Sequence, residues 1–283
     1  MMRSLLFVPA DSERKLAKAL SAGADALVLD LEDAVSPERK PMARDMMRTW
    51  LTAQSRSAVW VRVNDLASGE LLKDLAQAVP ARPTGIMLPK IRGPEDIAIV
   101  GHYLDALETE HGVPLGQLRI IALVTEAPLG VLRLGDLASA RHPRVSHVSW
   151  GAEDLSAALG AGDPRTPDGE WRPTYVHARI QCLLTAHAMG AEALDTVFVN
   201  FKDPDGLRRS CQASRYDGFT GRIAIHPDQV PIINEAFSPT EVERTQARRL
   251  VQAFASGSGT VSLDGKMYDL PHLRSAKRLL GLP

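Results

Sequence analysis

Short apolar runs recur along the chain, each closing on a polar or charged residue and each followed by a stretch with helical character. Eight such runs predict strands at 4–9, 26–32, 58–64, 85–90, 119–126, 146–154, 196–200 and 221–227. Between them, start signals and periodicity predict helices at 14–21, after Ser36-Pro37, and at 69–78, 94–110, 128–140, 175–189, 205–215 and 239–256. Asp11-Ser12-Glu13 reads as an N-terminal cap, and Ser36-Pro37 as a cap followed by proline at the first helical position. Strands that alternate with helices in this way imply βαβ units and a parallel sheet. Eight of them predict an α/β fold closed as a (β/α)8 TIM barrel, with an open doubly wound sheet as the alternative. The first strand is not followed by the Gly-x-Gly-x-x-Gly phosphate fingerprint of the dinucleotide-binding form of that sheet.

The alternation stops near the C-terminus. Ser256-Gly257-Ser258-Gly259 reads as a flexible hinge, and Asp264-Gly265 between two short apolar segments is the dipeptide most typical of a two-residue hairpin turn. A helix at 271–280 closes the chain. The predicted organisation is a barrel over 1–255 and a hairpin-helix lid over 256–283, with a packed terminal extension as the alternative to a lid.

In a barrel of this kind chemistry gathers at the C-terminal ends of the strands. The second run ends Asp30-Leu31-Glu32-Asp33, the third contains Arg62 and Asn64, the fourth ends in Lys90, the fifth in Thr125-Glu126 and the sixth in Glu153-Asp154. Period-2 alternation puts residues 60, 62 and 64 on one face, so if Arg62 points into the barrel its valine neighbours point to the helices. An inward guanidinium needs an anion: a carboxylate or developing oxyanion of a substrate, or an ion pair with Asp30 or Glu32 on the adjacent strand. Glu126 and Asp154, at the ends of adjacent strands, are two hard oxygen ligands without a histidine cluster or thiol, a set that suits Mg²⁺. Taken singly, Glu126 reads equally as a core ion pair and Asp154 as a helix cap.

Composition narrows the partners. With 33 Lys and Arg against 34 Asp and Glu, the formal charge is −1, which argues against a general nucleic-acid or anionic-membrane binder. Only Cys182 and Cys211 occur, so a disulfide framework is not expected and a cytoplasmic compartment fits. The apolar stretch after Leu5 is too short for a signal peptide or a membrane span. His226-Pro227 reads as a strand terminator, and no Gly-x-Ser-x-Gly elbow is present.

The motifs Arg3-Ser4-Leu5-Leu6-Phe7-Val8-Pro9, Leu29-Asp30-Leu31-Glu32-Asp33-Ala34-Val35, Arg62-Val63-Asn64, Leu88-Pro89-Lys90, Thr125-Glu126, Gly151-Ala152-Glu153-Asp154 and Ile225-His226-Pro227-Asp228-Gln229 fall in order along the whole chain. Together they resemble the citrate lyase β-subunit-like proteins of the HpcH/HpaI aldolase superfamily. The resemblance implies a TIM barrel, a homotrimer, and Mg²⁺ on Glu126 and Asp154. It also implies a substrate role for Arg62 and Glu126, with Arg62 stabilising an enolate thioester oxygen. The segment from Gly265 to Pro271 looks like the family lid, which makes Asp269 the candidate acid/base in a neighbouring subunit's site. The expected activity is Mg²⁺-dependent cleavage of a 3-hydroxy-3-carboxy acyl-CoA (malyl-, citramalyl- or citryl-CoA-like) to an acyl-CoA and an α-keto acid. Alternatives are a malyl-CoA thioesterase, a CoA-independent pyruvate aldolase, and a lyase subunit that needs partners. For the coenzyme A phosphates the nominated cations are Arg14 and Lys40, with Asp30 and Glu32 supporting Arg62.

Overall fold

The computed structural model describes residues 2–53, 58–257 and 259–282. Two compact units form, Met1–Phe237 and Ser238–Pro283. In the first, eight strands close into a parallel barrel in sequence order: β1 (Ser4–Pro9), β2 (Ala26–Asp30), β3 (Val59–Arg62), β4 (Gly85–Leu88), β5 (Arg119–Leu123), β6 (Val145–Ser149), β7 (Glu192–Asp195) and β8 (Gly221–Ala224). The strand closing the ring is β8, which pairs with β1 from Ser4↔Arg222 to Leu6↔Ala224.

Alternation divides each strand between two cores. Leu5, Val28, Trp60, Met87, Ile121, Leu123, Leu194 and Ile223 fill the barrel interior. Leu6, Val8, Leu27, Leu29, Val59, Val61, Ile86, Leu88, Ile120 and Ala122 face the surrounding helices. Fully burying one such aliphatic side chain contributes about 1.5–3 kcal/mol. Trp60 fits inside because Gly85 on the next strand has no side chain: a Cβ there would lie 2.6 Å from the indole and 2.1 Å from the Arg119 carbonyl.

The helices of this unit are α1 (Glu13–Ala19), α2 (Lys40–Ala53), α3 (Leu71–Ala78), α4 (Pro94–Glu110), α5 (Pro128–Leu132), α6 (Leu134–Ala140), α7 (Ala152–Leu159), α8 (Pro173–Met189), α9 (Pro204–Asp217) and α10 (Gln229–Ala236). Two strands and one helix depart from the sequence reading, and α10 lies where no helix is predicted. The predicted sixth strand ends at Ser149, and Asp154 lies in the first turn of α7. The predicted 128–140 helix is two helices. The seventh strand is Glu192–Asp195, and the run at 196–200 is the loop after it, with Val199 exposed. The β-branched pattern of Thr196-Val197-Phe198-Val199 outweighed Glu192-Ala193-Leu194-Asp195, which has little intrinsic strand preference but buries Ala193 and Leu194 in the two cores.

In the second unit, α11 (Glu241–Ala253) precedes a hairpin of β9 (Thr260–Leu263) and β10 (Lys266–Asp269), followed by α12 (Leu270–Leu280). The predicted Asp-Gly turn is present, with positive φ at Asp264 (52°) and Gly265 (74°). Arg249 on α11 clamps the Asp264 carboxylate through both terminal nitrogens at 2.8 and 2.9 Å. Ala247, Leu250, Phe254 and Ala276 form the core of this unit. Of the predicted hinge at 256–259, Ser258 lies outside the described residues. Among the described residues no helix is long and apolar enough to cross a membrane.

Candidate active site

The charged residues that follow β2, β3, β4, β5 and β6 meet at one end of the barrel. Register sets the first contact: Asp30 and Arg62 are cross-strand partners on β2 and β3. The guanidinium grips Asp30 with two parallel bonds, Nε to Oδ1 at 2.8 Å and Nη2 to Oδ2 at 2.6 Å. Its third nitrogen, Nη1, lies 2.9 Å from Glu32 Oε2, and its carbon sits 4.5 Å from the centre of the Phe7 ring. Arg62 therefore faces inward, on the same face as Trp60, and it has the ion pairs with Asp30 and Glu32. Two of its five N–H groups donate to Asp30, while Nη1 meets Glu32 as an ion pair only.

Beyond Glu32 the alternation of charge continues. Glu32 Oε1 lies 2.7 Å from Lys90 Nζ, and the same ammonium is 3.4 Å from Asp33 and 3.5 Å from Asp154. Neither Glu32 oxygen has a hydrogen bond of good angle, so both contacts are ion pairs. Burial pushes the Glu32 carboxyl up to about 7, against the opposing pull of Arg62 and Lys90.

Glu126 follows β5 by three residues and is buried. Its Oε2 accepts the Lys90 backbone N–H at 2.7 Å. Burial, then repulsion from the Asp154 and Glu32 carboxylates, pushes its carboxyl up to about 8. The other face of Glu126 abuts Gly151, where a Cβ would come within 2.7 Å of Cγ and 2.8 Å of Oε1. A buried carboxylate raised by a like-charged neighbour is the environment a dication relieves. Among the described residues no group of three or more His, Cys, Asp or Glu side chains is arranged to hold a metal. The two-carboxylate set fits Mg²⁺, whose remaining positions go to water and substrate oxygens.

The other nominated residues have different surroundings. Arg14 is exposed on α1, after β1. Lys40 Nζ donates to the Leu31 carbonyl (2.8 Å), the Glu32 carbonyl (3.0 Å) and Asn64 Oδ1 (2.7 Å), so its three protons tie the ends of β2 and β3 together and a phosphate would compete for them. Asn64 is fixed in turn by Asp74, which accepts from its backbone and side-chain nitrogens at 2.7 Å each. Asp269 belongs to the second unit, where it caps α12 in a reciprocal box with His272. The His272 ring, 2.5 Å from its Oδ1, holds its carboxyl below the ordinary range. His226 is a loop residue stacked on Phe201 with centroids 5.0 Å apart.

Two features escaped the sequence reading. Lys90 is visible there as the end of a run, but its left-handed backbone (φ 55°) and its contacts with three acids are tertiary facts. Asp195, hidden by the misplaced seventh strand, is fully buried in a network with Arg222 Nη2 (2.5 Å), Trp150 Nε1 (2.6 Å) and the Ser214 hydroxyl.

The HpcH/HpaI aldolase/citrate lyase family model matches residues 3–227. The chain is 34% identical over 275 residues to a citrate lyase subunit beta-like protein of Mycobacterium tuberculosis, covering 97% of this chain and 93% of that protein. A (3S)-malyl-CoA thioesterase of Cereibacter sphaeroides is 33% identical over 98% of this chain and 93% of its own length. The mitochondrial citramalyl-CoA lyase of Rattus norvegicus is 32% identical over 99% and 85%. The crystal structure of CitE from M. tuberculosis in complex with magnesium, acetoacetate and coenzyme A superposes with a TM-score of 0.82 at 33% identity, covering 99% of this chain and 97% of that one.

Proposed function

The chain belongs to the HpcH/HpaI aldolase/citrate lyase family, and from that premise we propose that it is a Mg²⁺-dependent carbon–carbon lyase acting on a 3-hydroxy-3-carboxy acyl-CoA. The observation that carries this reading is the pairing of a buried, raised Glu126 beside Asp154 with an inward Arg62 that spends only two of its five N–H groups on hydrogen bonds to Asp30. Glu126 and Asp154 would hold Mg²⁺, which supplies Lewis-acid polarisation of the substrate's hydroxyl and carboxylate oxygens. Loss of the hydroxyl proton to a base and cleavage of the adjacent carbon–carbon bond release an α-keto acid and leave the enolate of an acyl-CoA. Arg62, fixed by Asp30 and Glu32 before substrate arrives, stabilises the enolate oxygen without reorganisation. Asp269 of a neighbouring subunit would protonate the enolate carbon, the segment 256–283 serving as a lid in a cytoplasmic homotrimer. Arg14 would meet the coenzyme A phosphates, with Lys40 contributing positive charge.

A second reading, release of free coenzyme A from malyl-CoA, is favoured by the similarity to a malyl-CoA thioesterase. The test is a panel of malyl-, citramalyl-, β-methylmalyl- and citryl-CoA, assayed separately for α-keto acid and for free thiol. Keto acid without thiol supports the lyase; thiol without lasting keto acid supports the thioesterase; inertness of the purified chain on every free thioester contradicts both.

A further inference from the structure

Lys90 touches both carboxylates of the proposed metal pair, and it does so with different atoms. It stands two residues beyond β4 with φ at 55°, in the left-handed region where a residue bearing a Cβ is strained. From that position the backbone N–H meets Glu126 Oε2 at 2.7 Å. The ammonium meanwhile reaches Glu32 at 2.7 Å and Asp154 at 3.5 Å, and it is only partly exposed. An extended residue would direct its amide and its side chain differently, so the positive φ is what aims both at one site. Around it stand four carboxylates, Glu32, Asp33, Glu126 and Asp154, with Arg62 as the second cation on Glu32.

These two contacts act on a divalent cation in opposite senses. The amide holds Glu126 in one orientation, which prepares that ligand. The ammonium occupies the field of Asp154 and repels an incoming cation. We propose that Lys90 is a positioning residue that sets the divalent-cation affinity of the Glu126 and Asp154 pair through this opposition, an inference that rests on those two residues being the Mg²⁺ ligands. The strained backbone is retained because relaxing it would move the amide away from Glu126.

Calorimetric titration of Mg²⁺ into chelator-treated protein tests this in wild type, Lys90→Gly and Lys90→Val. Glycine accepts the positive φ and deletes the ammonium, so Mg²⁺ should bind about tenfold more tightly, the effect of removing one nearby unit charge in a partly solvated site. Valine deletes the same charge but resists the left-handed backbone, so its N–H leaves Glu126 and Mg²⁺ should bind more weakly than in the glycine variant by about tenfold or more. Equal affinities in the two variants, or a glycine variant no tighter than wild type, overturn the proposal. If Lys90→Val does not melt cooperatively, the comparison of Lys90→Gly with wild type decides alone. Wild-type protein that binds no Mg²⁺ overturns the metal reading itself, whereas wild-type binding with unmoved variants overturns only the role of Lys90.

Discussion

Arg62→Lys separates charge from geometry at the centre of the site. The guanidinium presents five N–H donors in a planar fork; two donate to Asp30 at 2.8 and 2.6 Å, and Nη1 pairs with Glu32 across 2.9 Å as an ion pair. A lysine ammonium has three donors on one nitrogen, so satisfying these two buried acids leaves at most one, without the fork's direction. Removing a preorganised donor from an oxyanion costs about 10²–10³ in kcat, or roughly 2.7–4 kcal/mol. Stability should change little, because a cation still faces Asp30 and Glu32. Arg62→Ala would instead abandon both acids in the interior, at about 3–5 kcal/mol, and confound the result. The assay is steady-state cleavage of the best thioester with a melting curve on the same preparation. A kcat reduced by about 10²–10³ with a near-normal melting temperature is expected; wild-type kcat would refute the role given to the uncommitted N–H groups.

Gly151→Ala should push on Glu126, since its Cβ would fall 2.7 Å from Cγ; Mg²⁺ affinity measured by calorimetry should fall about 10–100-fold with the fold intact. Asp195→Asn should cost roughly 3–5 kcal/mol in denaturant unfolding, because it leaves Arg222 buried without its counter-charge. Burial alone would raise the Asp195 pKa, but Arg222, Arg179 and the Ser214 hydroxyl hold it below the ordinary carboxylate range. Its contribution is therefore complete above about pH 4 and drains away as pH falls toward the depressed folded value, so the gap between wild type and variant should narrow only below about pH 4. Asp269→Asn should lower keto-acid release by about 10²–10⁴ and leave Mg²⁺ affinity in the calorimeter unchanged; full activity would remove it as the acid.

Where hydrophobic period and burial agree, the sequence is legible. The β1 run has the same bounds in both readings, and residues 60 and 62 share the inward face because a strand's side chains alternate strictly. Asp264-Gly265 is equally plain, since few other dipeptides accept positive φ at both positions. The seventh strand is not legible because what holds it is tertiary: Ala193 and Leu194 are held by neighbours, while the more strand-like Val197 to Val199 lies in a loop. Gly151-Ala152-Glu153-Asp154 carries the acidic first turn of a helix, which the sequence offers only as the alternative reading of Asp154 as a cap. In the candidate site, Asp30, Glu32, Arg62, Glu126 and Asp154 are each visible as run-ending charges. The commitment of the Lys40 protons to strand ends and the backbone strain at Lys90 arise only from the folded chain.

Metal dependence tests the central claim most directly. Protein stripped with chelator and exchanged into metal-free buffer should release no α-keto acid from an acyl-CoA substrate, regain release on adding Mg²⁺, and fail to regain it in Glu126→Gln. Undiminished keto-acid release in excess chelator, or full recovery in Glu126→Gln, would contradict it.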